Sequence, residues 1–139
     1  MSLTVKIKTP IFQTLSDLKE QYGFDELGLA VSGGSDSLAM LYICNDWAVE
    51  KKVKLHCVTV DHKLRPGSLK EAQLVAGHCN GLGINHEVVE WKHEKELNGN
   101  VSDLARSARY ELIDKWRKKL SFVLVGHTQN DQIETFFMN

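Results

Sequence analysis

Short apolar runs recur along the chain between longer mixed segments, and their lengths predict four strands. Residues 27–31 form an apolar run bounded by turn residues, which is typical of a buried strand. The β-branched run 53–60 and the alternating run 84–91 predict a second and a third strand. A fourth apolar run, 121–125, completes the set.

Helices are predicted before and between these runs. The first predicted helix has Thr9 as its cap and Pro10 as its first residue, continues through residues 11–22 and ends at Gly23. Residues 37–49 are apolar on most faces, as expected of a helix that is covered on several sides.

Two later helices are marked by a capping signal and by an apolar stripe. Ser68 and Glu71 form a capping-box pattern, and apolar residues then follow at helical spacing. After the polar loop 92–100, a long helix has one apolar stripe. The members of that stripe are Val101, Leu104, Ala108, Leu112, Trp116 and Leu120. We interpret residues 130–139 as the beginning of a further helix.

A strand–helix unit repeated four times predicts an α/β fold, with a mostly parallel, Rossmann-like sheet and helices on both faces. We expect residues 1–24 to form an N-terminal helix and residues 25–139 to form the main domain. Ligands of such folds bind beyond the C-terminal ends of the strands. The polar clusters SGGSDS, DHKLRPG, KHEKELNGN and GHTQND all lie at those ends.

Composition narrows the class of protein. A chain of 139 residues that is 42% hydrophobic suits one domain, and a net charge of −1 excludes the general basic field of a nucleic-acid binder. No apolar stretch is long enough to span a bilayer, so we expect a soluble, cytoplasmic protein with no membrane partner. Cys44, Cys57 and Cys79 form no C-x-x-C pair and are interpreted as small buried hydrophobic residues.

The stretch LAVSGGSDSLAM, residues 29–40, indicates a phosphate site. Gly33 and Gly34 between a strand and a helix let backbone N–H groups converge on an anion near a helix N-terminus. No lysine follows as in the G-x-x-x-x-G-K-S/T loop, so a polyphosphate needs a metal or a remote cation. Asp36 indicates Mg²⁺ between the carboxylate and phosphate oxygens. The alternative is that Asp36 only caps the helix.

The hexapeptide SGGSDS after an apolar strand resembles the pyrophosphate-binding loop of the ATP pyrophosphatases, which cleave ATP between its α and β phosphates. Three further stretches look like the successive signatures of the tRNA(Ile)-lysidine synthetases, and the resemblance runs from about residue 27 to the last residue. These stretches are VDHKLRPGSLKEA (60–72), NGNVSDLARSARYELI (98–113) and GHTQNDQIETFFMN (126–139).

The resemblance implies a reaction, its cofactors and its partners. ATP, with Mg²⁺, adenylates the 2-carbonyl oxygen of the wobble cytidine in tRNA(Ile) with a CAU anticodon. The amine of free L-lysine then displaces AMP, which leaves lysidine in the anticodon. Activation as an adenylate turns a poor leaving group into AMP, which explains the need for ATP.

The resemblance also implies roles for the first two polar clusters. The pyrophosphate would be held by Ser32, Gly33, Gly34, Ser35, Asp36 and Ser37, with Asp36 also on the metal. Asp61 and His62 close the second strand, where they would meet the nucleotide or help the lysine enter. Asp61 as a solvated acid at a strand end is the alternative.

Arg106 and Arg109 are three residues apart and therefore share one helix face. Beside an ATP site they would neutralise charge on the α-phosphate as it becomes five-coordinate, which makes them catalytic candidates. The alternative is an ordinary surface ion pair, for example with Asp103.

The last cluster, GHTQNDQIET, supplies the remaining catalytic candidates. His127 opens it, and Asp131 and Glu134 are spaced i and i+3, which would place both carboxylates on one face near a helix start. That arrangement suits Mg²⁺ or a substrate ammonium, with Asp131 as a second metal ligand.

The resemblance also implies that this chain is only part of the functional protein. Members of the family continue with RNA-binding domains, so we expect this chain to bind ATP but to make little or no lysidine alone. A tRNA-thiolating enzyme with the same loop and a non-catalytic nucleotide-binding module are the two alternatives. The sequence leaves both a monomer and a homodimer open.

Overall fold

The computed structural model describes residues 3–64, 66–93, 101–118, 120–126 and 133–137. Its elements are α1 (Leu3–Tyr22), β1 (Glu26–Ala30), α2 (Ser35–Lys51), β2 (Lys54–Asp61), α3 (Ser68–Leu82), β3 (Asn85–Glu90), α4 (Val101–Arg117), β4 (Phe122–Gly126) and β5 (Ile133–Phe137). The four predicted strands and the helices between them are confirmed, with ends that shift by a few residues. None of the described helices is both long and apolar enough to cross a membrane.

The strands form one sheet in the order β3-β2-β1-β4-β5. The pairs β1–β2, β2–β3 and β1–β4 are parallel, and β4–β5 is antiparallel, so the mostly parallel sheet is confirmed. The chain moves outward from β1 to β3 and then returns to β4 on the other side of β1. Open α/β sheets bind ligands at such a switch point.

Alternation along the strands sends apolar side chains to both faces of the sheet. On one face, Leu27 and Leu29 of β1 pack in a cluster with α1, α2 and α3, where Trp47 is fully buried. On the other face, Ala30 and the neighbouring strands pack against Ile113 of α4. Both faces are therefore covered by helices, as predicted.

The stripe predicted for α4 is only partly correct. Leu104 is 43% exposed, whereas Ile113, which the stripe omitted, is completely buried. Gly28 of β1 explains the close packing further along the helix, because a Cβ there would lie 3.2 Å from the Trp116 ring and 3.0 Å from Val123.

The first helix begins earlier than predicted. It starts at Leu3, so Pro10 lies inside the helix and is not its first residue. An interior proline removes one backbone hydrogen bond, but the following turns bury Ile11, Leu15 and Leu18 in the core, and this packing favours a continuous helix. The predicted end is confirmed, since Gly23 has φ +66° and its N–H donates to the Lys19 carbonyl.

The capping box predicted at the start of α3 does not form. Gly67 occupies the cap position without a side-chain hydrogen bond, and Ser68 is the first helical residue. The Ser68 hydroxyl donates to a carboxylate oxygen of Asp61 at 2.5 Å. A tertiary partner has therefore replaced the local one.

The helix predicted over 130–139 is wrong, because residues 133–137 form β5. This segment, IETFF, is rich in β-branched and aromatic residues and pairs with β4. Without it, the outer edge of β4 would leave backbone N–H and C=O groups unpaired. Local i, i+3 spacing could not reveal this pairing, because it depends on a strand outside the segment.

Candidate functional site

The loop that joins β1 to α2 is shaped by its two glycines. A Cβ on Gly33 would lie 2.8 Å from the Glu71 Cβ and 3.2 Å from the Glu71 Cα, so only glycine lets the loop pass the first turn of α3. Gly34 is the N-cap residue of α2 in an extended conformation, with no side-chain cap. The first N–H groups of α2 therefore point out of the helix end, the arrangement that suits a phosphate.

Hydrogen bonds within the loop fix its path. The Ser32 N–H donates to Ser37 Oγ at 2.8 Å, and the Gly34 N–H lies 3.4 Å from Ser32 Oγ. Ser37 is 1% exposed, so its hydroxyl faces inward, whereas Ser35 is exposed at the start of α2. The backbone of Asp36 lies in the first turn of α2, and its side chain is outside the described part of the structure.

Asp61 ends β2 as a buried acid. It is 3% exposed, which excludes the interpretation as a solvated strand-end residue. One of its carboxylate oxygens accepts hydrogen bonds from the Ser68 hydroxyl at 2.5 Å and from the Lys63 N–H at 3.1 Å. Asp61 therefore ties the beginning of α3 to the end of β2 and closes the loop between them.

His62 belongs to the same edge of the sheet. Its Nδ1 accepts the Leu64 N–H at 3.1 Å, and its carbonyl oxygen lies 3.0 Å from His93 Nε2. His93 in turn packs against Trp91, with ring centroids 4.4 Å apart. The sequence did not single out this aromatic pair, because its two members are brought beside β2 only by the pairing of β3.

Two arginines of α4 surround one tyrosine. The guanidinium of Arg106 lies 5.2 Å from the Tyr110 ring centroid, and that of Arg109 lies 5.3 Å away. Tyr110 packs against the sheet face that α4 covers. As the crossover helix between two parallel strands, α4 begins at the C-terminal edge of the sheet. Both arginines are in the first half of α4, so they lie towards the same edge as the loop.

The last cluster is placed only in part. His127 and Asp131 lie outside the described residues. Glu134 lies in β5 opposite Val125, which in turn is opposite Ala30 of β1. The helical face predicted to join Asp131 and Glu134 is therefore wrong, but the backbone of Glu134 lies two strands, or about 10 Å, from the end of β1.

The metal prediction names two acids, Asp36 and Asp131. Among the described residues, no group of three or more His, Cys, Asp or Glu side chains is arranged to hold a metal ion. The two acids predicted as ligands, Asp36 and Asp131, have side chains outside the described part. Magnesium therefore stays a prediction that rests on the loop and its acid.

The three cysteines are buried and unbridged, as predicted. Burial raises the pKa of the Cys44 thiol far above its ordinary value. A hydrogen bond with Cys79 and burial both raise the pKa of Cys57, while the same hydrogen bond lowers the pKa of Cys79. Thiols without access to solvent are poor nucleophiles and poor metal ligands.

Two basic residues near the end of α4 are paired with acids of the same helix. Lys115 lies 3.7 Å from Glu111, and Arg117 lies 2.8 Å from Asp114 and also donates to the Leu120 carbonyl at 3.0 Å. These contacts agree with a solvated helix end.

Several curated proteins that are similar to this chain are named tRNA(Ile)-lysidine synthase. tRNA(Ile)-lysidine synthases are 40% identical over 131 residues in Brucella anthropi, 44% over 114 residues in Ruegeria pomeroyi and 38% over 140 residues in Bartonella henselae. The matches cover 89%, 81% and 98% of this chain. The chain spans only 28%, 27% and 27% of the length of these relatives.

Solved structures show the same fold at low sequence identity. A U34-tRNA thiolase from Methanococcus maripaludis, solved with its 4Fe-4S cluster, has a TM-score of 0.68 at 18% identity, over 89% of this chain and 46% of the thiolase. A glutamine-dependent NAD+ synthetase from Acinetobacter baumannii, solved with ADP, has a TM-score of 0.67 at 19% identity, over 94% of this chain and 26% of the synthetase.

A family model described as a PP-loop domain matches residues 5–139. The match contains the loop at the switch point and every element of the sheet. This chain belongs to the PP-loop family.

Proposed function

We propose that this chain is the ATP-binding region of a tRNA(Ile)-lysidine synthase. The wobble cytidine of tRNA(Ile) with a CAU anticodon would attack the α-phosphorus of ATP through its 2-carbonyl oxygen. The bond from the α-phosphorus to the bridging oxygen breaks, and pyrophosphate leaves. The amine of L-lysine then attacks the cytidine C2 atom, AMP leaves, and lysidine is formed.

The observation that carries this proposal is the shape of the loop at the switch point. Gly33 passes closely over α3, Gly34 opens α2, and the Ser32 N–H is held by Ser37. Backbone amides and the N-terminus of a 17-residue helix then face the same volume at the sheet edge. The leaving pyrophosphate would be bound there by Ser32, Gly33, Gly34 and Ser35. Ser37 would support them through its hydrogen bond with the Ser32 N–H.

Magnesium is the cation that this loop would use, because no lysine follows the glycines. When bound, Mg²⁺ neutralises charge on the phosphate oxygens. Asp36 would hold it from the first turn of α2, and Asp131 is the second candidate ligand.

The arginine pair of α4 would act on the α-phosphate. Contact with the Tyr110 ring limits the conformational freedom of both guanidinium groups. The arginines would therefore lose less conformational entropy when they bind the phosphate. Arg106 and Arg109 approach from the sheet face opposite α2, which leaves the loop free to hold the pyrophosphate from the other side.

The remaining candidates would act on the cytidine and the lysine. Asp61 would shape the binding volume through Ser68, and His62 would face the nucleotide. His127 and Asp131, which follow β4 in the sequence, would orient the substrates together with Glu134 of β5, and an acid among them would bind the lysine ammonium.

The whole protein would need a larger surface than this chain offers. A tRNA held with its wobble base exposed requires extensive contacts with the nucleic acid, and the relatives are more than three times as long as this chain. We infer that tRNA is bound mainly outside residues 1–139 and that a homodimer is one assembly to test. A tRNA substrate would agree with a cytoplasmic location.

Titration calorimetry with ATP tests the binding step directly. We expect Mg²⁺-dependent binding of ATP by this chain, weak binding of AMP, and at least a tenfold loss of affinity in Asp36→Ala, which is about 1.4 kcal/mol. Asp46→Ala is the matched control, because Asp46 is an exposed acid on the same helix. Equal affinity in wild type and Asp36→Ala would contradict the assigned role of Asp36.

Two other functions are distinguished by simple observations. A thiolating enzyme that transfers sulfur through cysteine needs an accessible thiol, whereas all three cysteines here are buried. A non-catalytic nucleotide-binding module would bind ATP without releasing pyrophosphate. Release of pyrophosphate by the full-length protein in the presence of tRNA and Mg·ATP therefore separates an enzyme from a sensor.

A further inference from the structure

Thr59 places a buried hydroxyl in β2, between Val58 and Val60 in the sequence. It is only 4% exposed. Valine has nearly the same shape as threonine, so packing alone does not require the hydroxyl. Burying a hydroxyl costs free energy unless it is hydrogen-bonded, so its partners explain why a threonine stands here.

The hydroxyl of Thr59 has two partners on the neighbouring strands. Its Oγ1 lies 2.8 Å from the Val31 carbonyl oxygen and 2.9 Å from His86 Nε2. The single hydroxyl hydrogen is donated to Val31, because a carbonyl oxygen can only accept. His86 therefore donates from Nε2 to Thr59, and the bonds run from β3 through β2 to the end of β1.

The bond to Val31 holds a peptide group that is also held at its other end. The carbonyl of the Val31–Ser32 peptide accepts from Thr59, and the N–H of the same peptide donates to Ser37 Oγ at 2.8 Å. Thr59 and Ser37 are both almost completely buried. The plane of this peptide is therefore fixed from both sides at the point where the strand becomes the loop.

We propose that Thr59, supported by His86, is a positioning residue that fixes the Val31–Ser32 peptide plane and thereby the path of the glycine pair. The inference rests on the proposed function, since it assigns a purpose to the path of a nucleotide-binding loop. Thr59 touches no substrate in this role. It acts by keeping the loop in the conformation that accepts phosphate.

The expected size of the effect follows from the bond that would be lost. An unsatisfied buried carbonyl lets the peptide rotate towards other partners, and the apparent affinity of a ligand falls with the population of the competent conformation. Loss of the Thr59 hydroxyl should therefore weaken Mg·ATP binding by about tenfold.

The test compares Thr59→Val, which keeps the shape without the hydroxyl, with Thr59→Ser, which keeps the hydroxyl. His86→Phe removes the donor behind Thr59 and serves as a second, independent variant. Ser16→Ala is the control: it removes the 3.0 Å hydrogen bond to Trp47 Nε1, which lies about 18 Å along α2 from the loop. For each variant, two quantities are measured: the rate of hydrogen exchange of the Ser32 amide and the dissociation constant of Mg·ATP.

We expect Thr59→Val to accelerate exchange at Ser32 and weaken Mg·ATP binding about tenfold, His86→Phe to act in the same direction but less, and Thr59→Ser to resemble the wild type. Ser16→Ala should change neither quantity. Wild-type exchange and affinity in Thr59→Val, or equal changes in Ser16→Ala, would overturn the inference. A wild-type chain that does not bind Mg·ATP would contradict the proposed function, while exchange at Ser32 would still decide the role of Thr59.

Discussion

Polar side chains that are buried in the described part of the chain gather near the switch point. They are Ser37, Thr59, Asp61 and Ser68. Each has a hydrogen-bond partner in the loop, at the ends of β1 and β2 or at the start of α3, so their burial is compensated by hydrogen bonds. At the scale of residues, the site is therefore supported by a layer of side chains that a ligand need not touch.

Gly33 provides a test at this scale. In Gly33→Ala the new Cβ would lie 2.8 Å from the Glu71 Cβ, so either the loop or the start of α3 must shift. We expect a loss of about 1–3 kcal/mol in the free energy of unfolding and weaker Mg·ATP binding. Chemical denaturation and calorimetry measure the two effects.

Gly77→Ala is the matched control for that substitution. Gly77 lies inside α3, and a Cβ there would have no atom within 4 Å. Alanine should stabilise the helix by about 0.5–1 kcal/mol and leave ATP binding unchanged. A Gly33→Ala variant as stable as Gly77→Ala, with normal ATP binding, would disprove the close approach between loop and helix.

At the scale of elements, α1 shows that a helix before the first strand can be part of the core. Its residues Ile11, Leu15 and Leu18 share one apolar cluster with α2 and the sheet, and Ser16 accepts the Trp47 indole N–H. We infer that residues 1–24 and residues 25–139 are not separate folding units and that the two parts unfold together.

Leu15→Ala tests this inference. Leu15 is fully buried, so its truncation should lower the free energy of unfolding by about 2–5 kcal/mol in a single cooperative transition. The control is Leu74→Ala, at a residue that is 49% exposed on α3, where about 0.5 kcal/mol or less is expected. A separate early transition for α1 in Leu15→Ala would show that the helix is an independent unit.

At the scale of the whole molecule, binding and catalysis should be separable. We expect the 139-residue chain to bind Mg·ATP but to show no AMP release that depends on both tRNA and lysine, because the relatives are far longer. The full-length protein should release AMP only when both substrates are present. Steady lysine-dependent AMP release by the isolated chain would contradict this prediction.

The sequence by itself determined β1 to β4 and the helices between them, and it predicted the chemistry of the loop. Runs of apolar residues predicted β1 to β4, and SGGSDS predicted an anion site, because both signals lie within a few consecutive residues. The resemblance in four separate stretches then indicated the family that the comparisons support.

Only the tertiary structure decided the features that depend on distant partners. Residues 133–137 form a strand because they pair with the otherwise unpaired edge of β4. Ser68 does not cap its own helix, because its hydroxyl is hydrogen-bonded to Asp61 at 2.5 Å. Thr59 and His86 met Val31 only after three strands had paired side by side. Local spacing carries no information on such contacts, since the energy that selects them comes from atoms far away in the chain.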